Sequence, residues 1–168
     1  MSILRVLSLL KNKGYKPGRL QRTYKNLTSA GISKAVDPLT ANRAAWLIFL
    51  YGCSPQIRCS ARYWILKRVH YFKQMTANKD ETPVQFIAKF LADPSARANI
   101  QAIAIDRKTE CVVALDNENN FTLNSKLTLH ARHRSEEPDM VYFTREILDE
   151  IAIMINESTE HHKKQLLN

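Results

Sequence analysis

The sequence predicts an α+β fold, with a basic helical N-terminal half and a small antiparallel sheet of about three strands closed by a C-terminal helix. Two observations carry that expectation. Apolar residues recur at helical spacing in the first half, switch to strand-like alternation between Ile100 and Arg134, and return to helical spacing after Thr144. The charge also reverses: residues 1–79 hold fifteen Lys or Arg and one acid, Asp37, a net of +14, whereas residues 80–168 carry a net of −5. The composition suits such a fold, since 168 residues with 45% hydrophobic and 24% charged residues and only four Gly describe a globular chain with a sizeable core. Collagen-like and low-complexity classes are excluded, and the apolar stretch Ala44–Tyr51 is far below the roughly 20 residues needed to span a bilayer.

Ile3, Val6, Leu7 and Leu10 stand at i, i+3, i+4 and i+7, and Gly14 supplies a stop, so the chain opens with an amphipathic helix. Arg5 splits its apolar run and no small-residue cleavage site follows, which argues against a signal peptide. From Lys11 to Lys25 six bases alternate with Tyr15, Pro17, Gly18 and Tyr24, a pattern that reads as a connector, extended or only partly helical. Asn42 or Thr40 caps a helix over residues 43–51; Gly52-Cys53-Ser54-Pro55 ends it and opens another running to about Met75. Thr82-Pro83-Val84-Gln85 has the form of a capping box, with Phe86, Ile87, Phe90 and Leu91 as the apolar face of the helix it starts. Asp93-Pro94 interrupts that helix. Strands are expected near 100–105, 111–115 and 121–132, and Tyr142-Phe143-Thr144 leads into the last helix. There Ile147, Ile151 and Met154 form the stripe, with Glu146, Asp149 and Glu150 early and Lys163 and Lys164 late, as the helix dipole favours.

The asymmetry of charge points to an acidic polymer as partner, DNA or RNA. The boundary near Asn78–Glu81 divides the chain into a nucleic-acid-facing region, 1–79, and an interaction or dimerisation region, 80–168; one continuous domain is equally compatible with the pattern. The candidate binding residues are Lys11, Lys13, Lys16, Arg19, Arg22 and Lys25 from the basic stretch, with Arg58, Arg62, Tyr63, Lys67, Arg68 and His70 from the helix after Pro55. Lys and Arg neutralise phosphates and release counterions, while aromatic rings stack on unpaired bases. The Gly-Cys-Ser-Pro turn also permits comparison with a helix-turn-helix, against which Trp46 and Ile48 crowd a crossing that wants small residues. A membrane surface is the weaker partner, because the first helix offers few leucines for it.

No Gly-rich phosphate loop, nucleophile elbow or paired-His zinc motif occurs, so a non-catalytic protein without cofactor is expected. Cys53 and Cys59 lack a second pair at zinc spacing, and His130 and His133 fall on opposite faces of a regular strand. Three cysteines without framework spacing suggest a reducing, cytoplasmic setting. The competing reading is an adaptor or effector whose basic face docks an acidic protein, and a homodimer through residues 80–168 is expected from the sheet's open edges.

Overall fold

The computed structural model describes residues 2–53, 81–106, 112–118, 121–123 and 140–166. Six helices and four strands lie within them: α1 (Ile3–Asn12), α2 (Pro17–Ser29), α3 (Ala41–Cys53), α4 (Pro83–Ala92), α5 (Pro94–Ala98), β1 (Ile100–Asp106), β2 (Val112–Asp116), β3 (Phe121–Leu123), β4 (Met140–Thr144) and α6 (Arg145–Leu166). The fold is α+β, and the C-terminal helix follows the strands as the sequence predicts.

The sheet is antiparallel throughout, in the order β3-β2-β1-β4. Pairing of Ile103 with both Ala114 and Phe143, and of Ile105 with both Val112 and Val141, puts these six side chains on one face. All six are buried in a single core with residues of α1, α2, α3, α4 and α6. Both electrostatic halves of the chain contribute to that core. Its centre is α3, buried at Ala44, Ala45 and every position from Leu47 to Cys53, because it packs against α2, α4 and β1 at once. A helix apolar around its whole circumference is stable only when enclosed in this way.

Local chemistry sets the ends of the elements. Thr40 Oγ1 accepts from the Arg43 N–H at 3.2 Å and starts α3. The Thr82 capping box is formed in both directions: the Gln85 N–H donates to Thr82 Oγ1 at 3.2 Å, and the Thr82 N–H donates to Gln85 Oε1 at 2.8 Å. Asp93 ends α4 and caps α5 by accepting from the Ser95 N–H at 2.9 Å. Arg97 then ties α4, α5 and α6 together. Its buried guanidinium donates to Phe90 O at 2.9 Å and Leu91 O at 3.1 Å, carbonyls left open at the end of α4, and to Asp149 Oδ1 at 2.6 Å.

The structure goes beyond the sequence reading in two places. The basic stretch is partly helical, one of the two alternatives expected, but more so than a connector: after the turn at residues 13–16, Pro17 stands in the first turn of α2, where its missing N–H costs nothing, and Leu20, Thr23 and Leu27 form the buried stripe. Tyr142-Phe143-Thr144 leads into α6 as expected but is also a fourth strand, because Val141 and Phe143 alternate with exposed Tyr142 and Thr144 along the β1 edge. The helix expected after Pro55, and the third strand beyond Leu123, lie outside the described residues.

Candidate nucleic-acid interface

Residues 2–53 hold nine of the basic residues and Asp37, and the structure sorts these bases by what they touch. Lys13, on the turn after α1, is drawn to the first turns of α6, with Nζ 2.6 Å from Glu146 Oε1 and 2.7 Å from Glu150 Oε1. Hydrogen bonds to Glu146 and then Glu150 raise its pKa above the ordinary lysine value. Arg43 faces Asp37 at 3.3 Å and donates to Pro38 O at 2.7 Å, which closes the loop between α2 and α3. Arg5 stands 3.9 Å from Glu157.

Arg19 belongs to an aromatic cluster where α2, α3 and β4 meet. Its Nη2 donates to Gly52 O at 2.9 Å and its guanidinium lies 4.6 Å from the centre of the Tyr51 ring, a cation–π contact. The Tyr15 ring stacks on Phe143 at 5.2 Å and meets Tyr51 edge-on at 5.4 Å. The Tyr15 hydroxyl donates to Tyr142 O at 2.5 Å, and the Lys16 N–H donates to Tyr51 Oη at 3.0 Å. Desolvation, helped by the nearby Tyr51, pushes the Tyr15 phenol up to about 12. The turn between α1 and α2, entered through Gly14 at a φ of +88° that favours glycine, is thereby fixed against the edge of the sheet.

Of the candidate cations in this stretch, Lys11, Lys16, Arg22 and Lys25 remain. All four are exposed, and none forms an ion pair among the described residues. A shallow groove of about 360 Å³ between α1 and α2 is lined by Leu7, Ser8, Lys11, Pro17, Gly18, Leu20, Gln21 and Tyr24. Lys11 is part of the lining, Lys16 adjoins Pro17, and Arg22 and Lys25 lie four residues beyond Gly18 and Gln21, one helical turn along the same surface. Among the described residues, no acidic side chain lines the groove.

Of the twelve candidate residues, the structure puts Lys11 in the groove lining, leaves Lys16, Arg22 and Lys25 exposed on or next to α2, and engages Lys13 and Arg19 in contacts within the chain. Arg58, Arg62, Tyr63, Lys67, Arg68 and His70 lie outside the described residues, as do the second helix of the helix-turn-helix comparison, Cys59, Cys111, His130 and His133. The groove itself escaped the sequence reading, which took Pro17 and Gly18 as loop markers; the signal for it was the Leu20, Thr23, Leu27 spacing that makes the stretch a helix. Among the described residues, no group of three or more His, Cys, Asp or Glu could hold a metal ion, and no helix is long and apolar enough to cross a membrane. No family model, curated protein or solved structure matches the chain.

Proposed function

We propose that this chain is a non-catalytic nucleic-acid-binding protein that meets phosphates with the α1–α2 surface. The observation that carries the reading is that Lys11 in the α1–α2 groove lining, Lys16 beside Pro17, and Arg22 and Lys25 one turn along α2 from lining positions are exposed without an ion-pair partner among the described residues, while Lys13, Arg43 and Arg5 lie against carboxylates. Exposed, unpaired cations on a packed helix can neutralise phosphates without breaking an internal contact. The rigid seating of the α1–α2 turn on Phe143 and Tyr142 keeps their spacing fixed before any ligand arrives, which lowers the ordering cost of binding.

The test is fluorescence anisotropy of the full chain against duplex DNA, single strands and structured RNA at low salt. The reading expects binding to at least one of these, weakened by Lys11→Ala, Lys16→Ala, Arg22→Ala and Lys25→Ala in combination. Because exposed charges contribute little to stability, this variant should keep its melting temperature. Absence of binding to every member of the panel, or undiminished binding by the variant, overturns it.

A further inference from the structure

We infer that the α1–α2 groove receives an unpaired base, and hence that the ligand of this surface is a single-stranded nucleic acid. The inference rests on the function proposed above and adds the substrate class. A surface that only neutralised duplex phosphates would need cations and hydrogen-bond donors, with no use for an apolar recess between them. Here the recess is mostly apolar, built from Leu7, Pro17, Leu20 and Tyr24; Lys11 stands in its lining, and Lys16, Arg22 and Lys25 stand beside or one turn along α2 from lining positions, none with an ion pair among the described residues. That pairing of chemistries matches a strand whose backbone is anionic and whose bases are free to turn aside and stack. The volume of about 360 Å³ falls at the small end of ligand pockets, which begin at about 300 Å³. Half-buried Tyr24 supplies an aromatic ring in the wall, and Gln21 and Ser8 supply an amide and a hydroxyl for the polar edge of a base.

Gly18 strengthens the assignment. It stands in the first turn of α2, directly after Pro17 and in the groove lining, and a Cβ built on it meets nothing within 4 Å. Any side chain at this position would narrow the approach of a ligand to the groove.

The test is anisotropy with a fluorescein-labelled oligothymidine of about 12 nucleotides and with the same strand annealed to its complement. The wild-type chain should bind the single strand more tightly. Gly18→Leu and Tyr24→Leu should each lower single-strand affinity about tenfold, the scale of one lost base stack, and leave duplex affinity unchanged. Gly18→Leu has free space for its side chain, and circular dichroism of both variants checks the fold. Unchanged single-strand affinity in the two variants, or equal losses on both ligands, overturns the groove assignment while leaving the phosphate-binding surface standing. A wild-type chain that binds neither ligand overturns both.

Discussion

Gly52→Ala tests the packing of α3, the centre of the core, against the sheet. In an ordinary helix interior this change stabilises by about 1 kcal/mol, because alanine is the better helix former. At Gly52 the added methyl would fall 2.7 Å from Ile105 Cβ and 2.8 Å from Ile105 Cγ2, and closer still to Cδ1. Two of those atoms sit at the branch point of a β-branched side chain on the central strand, so they cannot swing away. Either α3 or β1 must shift, and such overpacking costs about 1–3 kcal/mol. A shift of α3 would also disturb the bond from Arg19 Nη2 to Gly52 O. After the gain in helix propensity the net expectation is a loss of up to about 2 kcal/mol, or up to about 8 °C in melting temperature for a chain of this size. Urea denaturation of Gly52→Ala, Ile105→Ala and the double variant measures it. The double variant should be more stable than the two single losses added together predict, because truncating Ile105 makes room for the methyl. Strict additivity, or a Gly52→Ala variant more stable than wild type, would refute the close approach of α3 to β1.

Arg97→Met should lower the urea midpoint by the equivalent of about 2–3 kcal/mol, since it strips Phe90 O and Leu91 O of their donor; Asp149→Asn, which leaves both carbonyl bonds intact, should cost less. Equal losses from the two would show that the Asp149 pairing, rather than the α4 carbonyls, is what Arg97 serves. The raised phenol of Tyr15 predicts a pH effect: the unfolded side chain ionises near 10 and the native one near 12, so the stability it contributes is complete below pH 10 and drains away between 10 and 12. With partial exposure discounted, that loss is about 1–2 kcal/mol. Tyr15→Phe should flatten the stability curve in this window, and a curve parallel to wild type would rule out Tyr15 as its source.

The elements that could be read from the sequence are those whose signals are local. Thr82 and Gln85 stand three positions apart and form their capping box without help from elsewhere, and the charges of α6 follow its own dipole. Where distant partners decide, the sequence misleads. In α2 six bases across Lys11–Lys25 obscure a three-residue buried stripe, which becomes visible only when Leu20, Thr23 and Leu27 meet the core. The strand β4 is short and stands at the sheet edge against β1, a pairing across nearly forty residues that no local pattern announces. The same holds for the interface. Charge sign alone cannot separate Lys13, whose partner Glu146 is 133 positions away, from Lys11, which has no carboxylate near it among the described residues. Nor could it show that Arg19 is held by Tyr51 and Gly52.

The salt dependence of binding measures the central claim most directly. Four phosphate contacts on a single strand give a slope of log K against log salt near about −3, because each releases about 0.7 of a counterion. The combined Lys11, Lys16, Arg22 and Lys25 alanine variant should bring that slope close to zero. Lys163→Ala with Lys164→Ala, at the far end of α6, should leave it unchanged. A wild-type slope that is already flat, or one that the α6 pair reduces as much as the α1–α2 variant does, would contradict a phosphate-binding surface on α1 and α2.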